Sequence, residues 1–75
     1  MTREAIEKLN ENQLDYCKTL SSFIATHKKS GKKENLERYT GMLRGYIECL
    51  HQMRVLNMVD AKAIYIFFYE EDRSE

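Results

Sequence analysis

The sequence predicts an all-α fold, a long antiparallel helical hairpin with a shorter third helix folded onto it to make a small bundle. Three observations carry this prediction. Zero prolines and three glycines leave too few turn residues for a sheet built from hairpins. Two long segments repeat their apolar positions at alternating steps of three and four, the mark of an amphipathic helix. Only a few residues around Ser30, Gly31 and Lys32 separate those segments, so the two helices are expected side by side and antiparallel.

The first helix is expected over residues 3–29. Ile6, Leu9, Tyr16, Leu20 and Phe23 form its stripe, Cys17 and Ile24 widen it, and Gln13 and His27 fill the places the pattern leaves open. Thr2 serves as a cap, and Glu4 and Glu7 suit the positive end of the helix dipole. His27, Lys28 and Lys29 suit the negative end, and Gly31 supplies a left-handed stop.

The second helix is expected over residues 33–56, with Leu36, Tyr39, Leu43, Tyr46, Ile47 and Leu50 continuing to Met53 and Leu56. Folding the chain at Gly31 brings together positions whose numbers sum to about 62 or 63. Phe23 then faces Tyr39, Leu20 faces Leu43, Tyr16 faces Tyr46 and Ile47, and Leu9 faces Met53. Gln13 falls opposite Leu50, either as an amide at the edge of the seam or as a polar residue that pins register. Two glycines inside this helix, Gly41 and Gly45, each cost about 1 kcal/mol relative to alanine. Close approach of the third helix or of a second chain would offset that cost; the alternative is a short break near Thr40 and Gly41.

The third helix is expected over residues 61–71, capped by Asp60, with Val59 and Ile64 at the spacing of a hydrophobic staple. Its row Ile64, Tyr65, Ile66, Phe67, Phe68 and Tyr69 is β-branched and aromatic, and a strand paired across a dimer is the competing reading. The acidic residues 70–75 carry three net negative charges and are expected to fray from position 72 onward. All 75 residues are read as one domain.

Composition narrows function. Twelve basic residues balance 12 acidic ones, which disfavours a globally basic nucleic-acid binder. The longest uncharged apolar run, Ala63 to Tyr69, is far short of the roughly 20 residues of a membrane span, and the polar start has no signal-peptide core. A cytoplasmic protein is therefore expected, with Cys17 and Cys49 reduced and serving as small core residues.

No glycine-rich phosphate loop, paired-cysteine motif, helical histidine pair or nucleophile elbow is present, so neither enzyme activity nor a cofactor is expected. A metal site from Cys17, Cys49 and His51 lacks a fourth ligand. Two surfaces remain. Lys28, Lys29, Lys32 and Lys33 cluster at the hairpin tip, where they either keep a turn soluble or touch phosphate. Gly41, Gly45, Tyr65, Phe67, Phe68 and Tyr69 are expected to form a protein-interaction surface, because one hairpin covers only one face of an all-round apolar helix. A homodimer through the third helix and the glycine side of the second is the simplest partner.

The stretch from Gly41 to Leu50, followed by Val55 and Leu56 and the segment from Asp60 to Tyr69, resembles a known group. It is similar to the small helical open reading frames carried by phages and by integrative or conjugative elements of Gram-positive bacteria. In these a glycine-tyrosine helix leads through a short turn to an aromatic-rich helix. The resemblance spans about the last 35 residues and implies a bacterial cytoplasm and an accessory role on a mobile element. It carries over no functional residue. The expected function is protein binding to a host or element protein; the alternative is a small DNA-associated regulator with a helix-turn-helix-like turn over residues 57–60.

Overall fold

A computed structural model describes residues 2–70, which form four helices and no strand: α1 (Thr2–Glu7), α2 (Glu11–Ser30), α3 (Lys33–Gln52) and α4 (Met58–Tyr69). The fold is all-α. Residue 71 and the acidic tail over 72–75 lie outside the described residues.

The expected first helix is two helices, and Asn10 is the reason. Its side chain accepts from the Gln13 N–H at 2.8 Å, while the Gln13 side chain accepts from the Asn10 N–H at 2.9 Å. This reciprocal box starts a new helix at Glu11 and holds Asn10 in extended backbone, φ −78° and ψ 175°. Just before it, Lys8 and Leu9 donate to carbonyls three residues back, which tightens and ends α1. Gln13 is thus neither an edge amide nor a register pin but half of a cap. Thr2, expected as a cap, is the first helical residue.

Freed by that corner, α1 packs on α4 instead of prolonging α2. Ala5 is fully buried there, and Lys8 pairs with Asp60. Leu9 is buried at the corner, whereas Met53, its expected neighbour, is 64% exposed.

The short link at Gly31 does what its sequence suggests. Gly31 takes φ 72° and donates to the His27 carbonyl at 3.0 Å, closing α2 in the left-handed conformation that glycine adopts without a Cβ clash. Beyond it α3 runs back along α2, with the Phe23 and Tyr39 rings stacked at 4.9 Å and Tyr16 and Tyr46 edge-on at 4.6 Å. Leu20 and Ile24 of α2 and Leu43, Ile47 and Leu50 of α3 are buried between them. Each such side chain contributes about 1.5–3 kcal/mol relative to leaving it in water.

Helix α3 passes unbroken through Gly41 and Gly45, but it stops at Gln52 rather than running to Leu56. Arg54 takes φ 65°, the Arg54 N–H donates to His51 at 3.0 Å and the Val55 N–H to Leu50 at 2.9 Å. These two bonds form a Schellman stop, with an arginine where glycine is usual. His51 adds a ring-nitrogen hydrogen bond to the Leu56 carbonyl at 3.0 Å, which ties down the connection to α4.

The segment expected as helix or strand is helical and begins three residues early. Asn57, not Asp60, is the N-cap: its side chain accepts from the Asp60 N–H at 2.7 Å. Val59 therefore lies inside the helix and is exposed, so the Val59–Ile64 staple does not form.

Candidate interaction surfaces

Helix α4 is apolar nearly all round, and its neighbours use its sides differently. Ile64 and Phe68 enter the core at 0% and 1% exposure. Tyr65 and Tyr69 line a half-buried side, where their rings stack at 5.9 Å. A cation covers each: the Arg44 guanidinium lies 5.6 Å from the Tyr65 ring centre and the Lys28 ammonium 3.9 Å from that of Tyr69. The outer side presents Val59, Ile66 and Phe67 to water at 64%, 46% and 42% exposure, with Met58 exposed at the start of the helix.

This sorts the residues expected to bind a partner. Phe68 belongs to the core, contrary to expectation, with Phe67 edge-on to it at 5.1 Å. Phe67 is the exposed member of the pair. Sequence reasoning passed over Met58, Val59 and Ile66 as contact residues; an N-cap at Asn57 would have placed Met58 and Val59 inside the helix, but which side of α4 faces outward is set by its packing on the bundle.

Gly41 and Gly45 lie on an open side of α3, and a Cβ added at either would meet nothing within 4 Å. The expected close approach of the last helix is absent, because α4 packs nearer to Arg44 and Ile47. Between α3 and α4 runs an open groove of about 270 Å³, lined by Arg44, Ile47, His51, Met58, Lys62 and Tyr65 among others.

The basic tip is divided. Lys28 turns to α4, where it donates to the Tyr69 carbonyl, while Lys29, Lys32 and Lys33 stay exposed. His27 stacks on the Tyr39 ring at 5.3 Å. The two cysteines part as well. Cys17 is buried, and burial pushes its thiol up to about 11, whereas Cys49, expected in the core, is exposed with its Sγ 3.8 Å from Met53 Sδ. Among the described residues no three His, Cys, Asp or Glu side chains gather in a way that could hold a metal ion, and no helix is long and apolar enough to cross a membrane.

A second surface lies on the side of the α2–α3 pair turned away from α4. Tyr16 and Phe23, expected as core, are 39% and 43% exposed here despite their ring contacts. Helix α4 is too short and lies on the wrong side to cover them. Burial raises the Tyr46 phenol above its ordinary value, and Cys17, Tyr16 and Cys49 nearby add to the effect.

Compared with known proteins, the chain matches no family model, no curated sequence and no solved structure.

Proposed function

We propose that this chain is a small non-enzymatic module that binds another protein through the outer side of α4. The observation that carries this reading is the exposure of Val59, Ile66 and Phe67 on a helix whose other sides are committed to the bundle. Large apolar side chains held in water on a rigid helix cost solubility, and burial against a partner offsets that cost. The charge pattern agrees with a protein partner rather than a nucleic acid. Lys62 is the one basic residue of α4, and Lys28 at the tip is already engaged by Tyr69.

We further propose an accessory role on a mobile element, with a host or element-encoded protein as the partner; the resemblance of residues 41–69 to small mobile-element proteins is what suggests it. The test uses the full chain and two variants, Val59→Glu and Ile66→Glu, as bait in bacterial lysate. A protein retained by the wild type and lost from both variants, with helix content unchanged by circular dichroism, supports the reading. Salt-sensitive retardation of DNA, abolished when Lys29, Lys32 and Lys33 become alanine, would replace it with a DNA-associated role.

A further inference from the structure

We infer that the groove between α3 and α4 is a binding site for a small organic monoanion, a carboxylate or sulfonate carried on an apolar body of one or two rings. Its lining mixes two kinds of residue. Ile47, Ala61 and Tyr65 supply apolar surface with exposed Met58 beside them, while Arg44, His51 and Lys62 bring nitrogen groups and Glu48 brings the one acid. Apolar walls with a few convergent polar groups are the usual makeup of a ligand site.

The charges select the head group. Arg44 on α3 and Lys62 on α4 stand against Glu48 alone, so the lining carries one net positive charge and matches one negative charge on a ligand. Arg44 is already ordered, its guanidinium 5.6 Å from the Tyr65 ring centre, and a planar guanidinium offers a carboxylate or sulfonate two parallel N–H donors. His51 is fixed as well. Its Nδ1 lies 3.0 Å from the Leu56 carbonyl, which only accepts, so Nδ1 carries the hydrogen and Nε2 is the ring nitrogen left for a ligand. A neutral Nε2 turns a lone pair to an anion, whereas a protonated one becomes a further donor. Binding the anion therefore takes up a proton at His51.

The walls select the rest of the molecule. Apolar surface disfavours a strongly hydrated ion such as phosphate, whose oxygens would go unpaired there. A volume of about 270 Å³ falls just below the roughly 300 Å³ at which sites for drug-sized ligands begin, which suits one or two rings and leaves no room for a nucleotide. Val59, Ile66 and Phe67 on the outer side of α4 do not line this groove, so the two surfaces stand or fall separately.

Nuclear magnetic resonance titration of the full chain with naphthoate tests the assignment, with naphthylmethylamine as the same rings bearing the opposite charge. Naphthoate is expected to shift the amide signals of Ile47, His51 and Ala61, and the amine to bind about tenfold more weakly. Arg44→Gln and Lys62→Gln should each lower naphthoate affinity about threefold to tenfold with helix content unchanged by circular dichroism, whereas Phe67→Ala should bind like wild type. Naphthalenesulfonate, ionised throughout, should bind more tightly at about pH 5.5 than at about pH 8 in the wild type and equally at both in His51→Gln, since histidine changes charge across that range. The proposal is overturned if naphthoate does not bind, if acid and amine bind equally, or if both glutamine variants keep wild-type affinity. Signals that move at Ile66 and Phe67 instead of in the groove, or a pH dependence that is missing from the wild type or persists in His51→Gln, would overturn it as well.

Discussion

The Ser21 hydroxyl donates to the Phe68 carbonyl at 2.6 Å, in the buried contact between α2 and α4. Phe68 sits in the last turn of α4, where carbonyls have no partner further along their own helix. Lys28, about two helical turns past Ser21, serves the next carbonyl, that of Tyr69. Helix α2 therefore caps α4 from the side. Ser21→Ala leaves a buried carbonyl unpaired, at a cost of about 1–3 kcal/mol, read as a lower midpoint in urea unfolding. An unchanged midpoint would mean that water reaches the carbonyl.

Asn10 decides that α1 leaves the axis of α2. Asn10→Ala removes one half of the reciprocal cap and is expected to cost about 1 kcal/mol, which for a domain of this size lowers Tm by about 4–8 °C. Asn10→Asp keeps a capping oxygen and should stay close to wild type. If the alanine variant lost nothing, the corner would have to be held by Ala5 and Leu9 alone.

How far the sequence discloses this architecture depends on which property is asked of it. The pairing of Phe23 with Tyr39 and of Tyr16 with Tyr46 was legible, because matching stripes joined by a short link admit one register. The corner at Asn10 was hidden by the pattern itself: Ile6 and Leu9 continue in step toward Tyr16, so periodicity reads through a cap that only the Asn10–Gln13 pair discloses. The end of α3 was hidden because Arg54 occupies a place that glycine usually marks. Periodicity groups side chains by face but does not say how much of a face is covered. Tyr16 and Phe23 are half exposed because a 12-residue α4 covers only the far side of the pair. Phe67 and Phe68 could not be told apart before the rotation of α4 was known, since a helix apolar on every side has no direction of its own.

Arg54 holds a left-handed backbone, φ 65°, at a helix stop that glycine fills without strain. Arg54→Gly is expected to stabilise the fold by about 1 kcal/mol, the relief of the Cβ clash less the entropy glycine adds to the unfolded chain. Arg54→Val, β-branched at the same site, should destabilise it. Thermal unfolding of the two variants beside wild type reads both signs, and a glycine variant that melts lower would show the arginine side chain contributing a contact that outweighs the strain.

Cys17 links stability to alkaline pH. Burial raises its thiol from 9.0 to about 11, so between those values the unfolded chain gives up a proton that the folded chain keeps. A group with a raised folded value contributes its full stability below the unfolded value and loses it as pH climbs through the folded one. Stability should therefore fall from about pH 9 and level off near pH 11, a loss on the order of 2 kcal/mol. Tyr46, raised in the same direction, adds to the decline at its upper end. Urea unfolding at several pH values should show this slope in the wild type and a shallower one in Cys17→Ala. A thiol reagent at pH 8 gives the independent reading: exposed Cys49 should react many-fold faster than buried Cys17, which becomes reactive only when the chain unfolds. Equal rates at the two cysteines, or an identical slope in the alanine variant, would remove Cys17 as the source of the alkaline loss.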